Sequence, residues 1–167
     1  SRGGAPFPLD GAADDRLQLL DHLGLERAHL LGVSMGGTIA LQAAARVREV
    51  RGVCLINPPA GLADLIWTSP LCQTIRADIE ADGLDQAAVA AFFRDIDPLF
   101  AGVGSVDRQR VLMIQALYDV VTRQEQYEAL AEAWQFPHRL KYHAGHLNTL
   151  RVPRLAEDMA RFFEGCA

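Results

Sequence analysis

The chain has 167 residues, half of them hydrophobic and 22% charged, which is one domain's worth of sequence with enough apolar material for a sizeable core. Its formal charge of −5 is spread along the chain without a basic block, which excludes an electrostatic footprint for nucleic acid or an anionic membrane. Cys54, Cys72 and Cys166 are an odd number without paired spacing, and they fit a reducing compartment, by default the cytoplasm, better than a disulfide framework.

Residues 1–10, SRGGAPFPLD, hold two glycines and two prolines and read as a loop. The chain opens on Ser1 with no signal peptide, so we expect its natural N-terminus to be missing. Leu17, Leu20 and Leu23 recur at helical spacing after Asp14 and Asp15, and Gly24 is a natural stop. Ala28 to Val33 is a short apolar run suited to a strand buried on both faces, and the small, straight-chain residues of 38–46 favour a tightly packed helix. The stretch 28–45 carries no formal charge, yet His29, Ser34, Thr38, Gln42 and three glycines make it costly in lipid, so it reads as strand, turn and helix.

Val50 to Ile56 is a second strand, ended by Asn57-Pro58-Pro59. The connection that follows, roughly fifty residues, exceeds a plain crossover and predicts an insertion at about 60–104, with helices near 70–81 and 85–95 split by Asp82-Gly83. Leu62, Leu65, Ile66, Trp67, Leu71, Phe92, Phe93, Leu99 and Phe100 make this insertion apolar, suited equally to an acyl or alkyl group and to plain core. Val111 to Ala116 is a third strand. Thr122-Arg123-Gln124-Glu125 reads as the capping box of a helix with Tyr127, Leu130, Ala131 and Trp134 on one face. Arg139 to His143 is a short fourth strand, and a helix from about Pro153 buries Leu155, Met159, Phe162 and Phe163. Strands alternating with helices predict a single three-layer α/β/α domain over 1–167, with a parallel sheet of about four strands and right-handed crossovers.

Within this order, Gly32-Val33-Ser34-Met35-Gly36 sets one hydroxyl between two glycines where a strand turns into a helix. Such a turn strains the residue at its apex, and glycine two positions away on either side, Gly32 and Gly36, avoids collision with it. The hydroxyl is then held clear at the carboxyl end of the sheet, with the Met35 N–H at the helix start aimed where an oxyanion would form. A phosphate loop needs G-x-x-x-x-G-K-[ST] and a dinucleotide loop G-x-G-x-x-G, and neither pattern fits these residues. The plain alternative is a glycine-rich turn with a structural serine.

A serine nucleophile needs a base, and the base needs a third group to hold its tautomer. Of the five histidines, His22, His29 and His138 fall away from the turn. His143 and His146 both follow the fourth strand, and His146 is preferred because Gly145 lets the loop bend back over the sheet, whereas His143 reads as a strand-end residue. Asp119, just beyond the third strand, is the preferred acid over a turn-capping role, with Asp64 as its competitor. The order Ser, Asp, His matches a known triad arrangement.

LLGVSMGGTIALQ, Val111 to Asp119, and AGHLNTL together resemble the α/β-hydrolase superfamily, in its branch of small bacterial serine esterases. The resemblance implies an acyl-transfer enzyme with Ser34, His146 and Asp119 as catalytic residues, Met35 as one oxyanion donor, and neither metal nor cofactor. It implies an ester, thioester or lactone as substrate, with a carbon-carbon hydrolase, a perhydrolase or haloperoxidase-like enzyme, and a non-catalytic interaction fragment as rivals. Two departures stand out. Gln115-Ala116-Leu117 occupies the place of a glycine that usually precedes the acid, and the family's front half, with the second oxyanion donor, is absent. The four strands then correspond to the C-terminal part of the α/β-hydrolase sheet, and the nucleophile strand becomes an apolar edge that invites self-association.

Overall fold

Four strands, β1 (Ala28–Val33), β2 (Val50–Ile56), β3 (Val111–Ala116) and β4 (His138–Tyr142), pair in parallel in the order β1-β2-β3-β4. This computed structural model describes residues 18, 20–46, 49–100 and 107–166. The opening loop, Asp14, Asp15 and Leu17, and the end of the insertion at 101–106 lie outside them. Residues 20–23 are helical and end at Gly24, whose φ of 64° favours glycine.

Side-chain alternation on β2 and β3 explains why Val53 to Ile56 and Val111 to Ile114 are apolar without a break, while Arg51 lies exposed near the start of β2 and Gln115 is a buried polar residue near the end of β3. Val53, Leu55, Val111 and Met113 face α1 (Met35–Ala44) and α5 (Gln124–Trp134), where Leu41, Tyr127, Leu130 and Trp134 complete one core. Cys54, Ile56, Leu112 and Ile114 face the opposite way, against Leu155, Met159 and Phe162 of α6 (Leu155–Glu164). This is the three-layer arrangement expected.

Several local expectations shift. β1 is not buried on both faces: it pairs only with β2 among the described residues, and Leu31 stays 53% exposed. α1 begins at Met35, the helix start expected for the turn, and stops at Ala44, short of the expected end at 46. β4 starts at His138 and stops at Tyr142, which leaves His143 in the following loop. The capping box lies one residue later than predicted, with the Arg123 N–H donating to Gln126 Oε1 (3.0 Å), because the Thr122 N–H is already committed to Asp119.

Among the described residues, the insertion holds three α-helices, α2 (Leu62–Thr68), α3 (Gln73–Ala81) and α4 (Gln86–Phe93), with a 3-10 turn at Pro70–Cys72. Its apolar residues divide: Leu65 and Ile66 form a small core with Ala63, Cys72 and Val89, whereas Leu71, Phe92 and Phe100 are exposed. Buried Asp97 joins its two ends by accepting from the N–H groups of Gly61 (3.0 Å), Leu62 (2.5 Å) and Leu99 (3.0 Å). Among the described residues, no helix is long and apolar enough to cross a membrane.

Candidate active site

Ser34 stands between β1 and α1 with φ 52° and ψ −128°, a left-handed conformation rare for a non-glycine residue. Its N–H continues the sheet by donating to the Ile56 carbonyl (2.8 Å), while its carbonyl accepts from Gly37 (2.8 Å), so the turn is tied to both neighbouring elements. Gly32 is sterically obligatory: a Cβ there would lie 2.2 Å from the Gly36 carbonyl oxygen. Gly36 is not, since a Cβ at that position meets nothing within 4 Å. The close approach runs from the Gly36 backbone to Gly32, and the second tight glycine is Gly37, whose Cβ would lie 3.1 Å from that of Pro58.

The structure brings Ser34, His146 and Asp119 together. His146 Nε2 lies 2.8 Å from Ser34 Oγ, and its Nδ1 lies 2.7 Å from Asp119 Oδ2. The β3–β4 ladder runs on into both loops, with Leu117 N–H on the Tyr142 carbonyl (2.8 Å) and Tyr118 N–H on the Ala144 carbonyl (3.0 Å), which sets acid and base side by side.

The Asp119 side chain is fully buried and accepts from four groups: His146 and the Tyr127 hydroxyl on Oδ2, and the N–H groups of Val121 (2.7 Å) and Thr122 (3.0 Å) on Oδ1. Burial pushes its carboxyl up, but hydrogen bonds from His146, Tyr127, Thr122 and Val121 outweigh burial and hold it below the usual carboxylate range. An ionised carboxylate only accepts, so Nδ1 carries the imidazole proton and Nε2 is left to accept from the serine hydroxyl. Met35 is the first residue of α1, where backbone N–H groups have no intrahelical acceptor.

The competing residues are engaged elsewhere. Asp64 pairs with Arg123 (2.6 Å) on the outside of the insertion. His143 Nδ1 lies 3.0 Å from the Tyr118 hydroxyl. His29 and His138 sit at the amino ends of their strands against Phe163 and Phe162. His22 is exposed on the first helical segment. Burial pushes the Cys54 thiol up to about 12, which leaves it unreactive in the core. Sequence reasoning missed Tyr127, read only as core, and Asn57, read only as the end of a strand.

A family profile described as the alpha/beta hydrolase fold matches residues 1–103, more than half of the 167. The chain belongs to the α/β-hydrolase fold family. Two curated relatives of this chain come from Comamonas testosteroni. One is a 2-hydroxy-6-oxononadienedioate/2-hydroxy-6-oxononatrienedioate hydrolase, 41% identical over 51 residues, which are 30% of this chain and 18% of the relative. The other is a 2-hydroxy-6-oxo-6-phenylhexa-2,4-dienoate hydrolase, 50% identical over 44 residues, which are 26% of this chain and 15% of the relative. The chain thus spans under a fifth of the length of the curated relatives it matches. Among solved structures, the enol-lactonase from Burkholderia xenovorans superposes with a TM-score of 0.58 at 20% identity, over 98% of this chain and 76% of that one, a likeness of fold.

Two cavities lie well apart in the structure. The larger, about 460 Å³, opens at the amino ends of β3 and β4 beside His138, Arg139 and Arg161, away from Ser34. The smaller, about 240 Å³ and almost wholly apolar, runs from Met35 along α1 to Leu62, Phe92 and Phe93 of the insertion. It begins at the residue next to Ser34, a position that suits an apolar group near that hydroxyl.

Proposed function

We propose that this hydrolase cleaves a carboxylic ester, thioester or lactone through an acyl-enzyme, with Ser34 as nucleophile, His146 as general base and acid, and Asp119 as the orienting carboxylate. The observation that carries the reading is the unbroken Asp119–His146–Ser34 hydrogen-bond chain at a strained strand-to-helix turn. Ser34 Oγ adds to the substrate carbonyl as its proton passes to His146 Nε2, and Asp119 stabilises the imidazolium. The tetrahedral oxyanion is met by the Met35 N–H, with a second donor expected from the front of the family's fold, outside these residues. Collapse expels the alcohol, thiol or ring oxygen with the proton from His146. Water, deprotonated by the same imidazole, then releases the carboxylic acid. No step uses a metal or cofactor. We place the enzyme in the cytoplasm, in keeping with three free, buried cysteines.

A second reading, hydrolysis of a carbon-carbon bond on the same residues, is favoured by the two Comamonas relatives, both named for 2-hydroxy-6-oxo acids. The test uses the full-length protein. A fluorophosphonate is expected to label Ser34, with labelling and turnover of a short-chain p-nitrophenyl ester both abolished by Ser34→Ala. Labelling at another residue, or none, overturns the assignment. Turnover of a 2-hydroxy-6-oxo dienoate with no ester turnover decides for the second reading.

A further inference from the structure

Asn57 follows β2, is fully buried, and holds a left-handed backbone with φ 50°, which asparagine tolerates better than most residues. Its amide reaches two loops at once. Oδ1 accepts from the Ala116 N–H (2.8 Å) at the end of β3, three residues before Asp119. Nδ2 donates to the His146 carbonyl (2.6 Å) and to Thr149 Oγ1 (3.0 Å). Thr149 is itself fully buried, and both its N–H and its hydroxyl donate to the Gly145 carbonyl (3.1 Å each), closing the loop that carries His146. The Ala116 N–H can only donate and the His146 carbonyl can only accept, so the two partners fix which way the amide points. They also explain why no other residue of this size serves. Aspartate offers no donor to the His146 carbonyl, and leucine satisfies neither partner.

We propose that Asn57 is a positioning residue for the reaction, cross-linking the acid strand to the main chain of His146 and so setting imidazole, carboxylate and hydroxyl in line. The inference rests on the reading of His146 as the base. Displacing a catalytic group by about 1 Å can cost on the order of 10²-fold in rate, whereas substrate binding, which does not involve the amide, is spared.

The experiment uses the full-length enzyme and four variants: Asn57→Asp, which keeps the acceptor and loses the donor, Asn57→Ala, Thr149→Val, and the Asn57→Asp/Thr149→Val double. Folded fraction is read from near-UV circular dichroism, and kcat and KM are taken per folded molecule. Asn57→Asp and Asn57→Ala are expected to lower kcat about 10²-fold with KM within about threefold. The double variant is expected to fall no more than about threefold below Asn57→Asp, because both residues act through one loop. Unchanged kcat per folded molecule, fully multiplicative losses in the double variant, or failure of all four variants to fold makes Asn57 merely structural and overturns the proposal. Wild-type turnover that survives Ser34→Ala would instead strike the catalytic reading itself, so the two failures are distinguishable.

Discussion

Asp119 shows how one residue can be buried and charged together. Burial alone would leave the carboxyl protonated and able to donate toward His146, the wrong polarity for orienting a base. Four donors reverse that preference, and the Tyr127 hydroxyl is the only one whose removal leaves the backbone and His146 intact. In Tyr127→Phe we expect stability to fall by about 2 kcal/mol, the typical value of a hydrogen bond to a charged group, and kcat to fall by less than about tenfold. The loss depends on pH. The folded carboxyl titrates below its unfolded value of about 3.9, so its ionised form stabilises the fold above that pH, and the contribution fades as pH falls through the folded value. Urea unfolding of wild type and Tyr127→Phe should therefore differ fully at pH 7 and converge below about pH 4. A constant difference across that range would mean that Tyr127 acts on something other than the carboxylate.

At the scale of elements, the insertion is stapled through Asp97, which lies just beyond α4 and accepts at the start of α2. Asp97→Ala leaves the N–H groups of Gly61, Leu62 and Leu99 without their acceptor, and we expect a loss of about 3 kcal/mol, together with faster cleavage in limited proteolysis between α2 and α4. Unaltered proteolysis would show the staple to be redundant. This contact also marks the limit of what the sequence discloses. β2 and β3 were legible because a strand is apolar where both its faces are covered, as Val53 to Ile56 and Val111 to Ile114 are. Ser34 was legible because the strain of its turn is local and demands glycine at Gly32. His146 and Asp119 followed from the rule that loops at one end of a parallel sheet meet. α2 was missed because seven residues are too few to show a helical period. Asn57 and Asp97 were missed because their partners lie 89 and 35 positions away, and a polar side chain gives no local sign of a distant partner.

At the scale of the molecule, β1 pairs only with β2 among the described residues and leaves Leu31 exposed, and an unpaired, apolar parallel edge is a template for association. We expect these 167 residues alone to sediment and scatter light above the 18.3 kDa monomer mass, and Leu31→Lys to shift them toward the monomer. A monomeric wild-type chain would show that the edge is covered. Chain order and sheet order coincide, so each new strand docks on the edge left by the one before. The hydroxyl and the imidazole are 112 positions apart and stand at the ends of the first and last strands among them, with the carboxylate on the third. Closing that span is a strongly non-local event that needs every neighbouring strand pair in place. The Ser34–His146 contact therefore exists only when the sheet is assembled from β1 to β4 and is lost when β4 frays, which makes it a reporter of an intact sheet as well as a site for chemistry.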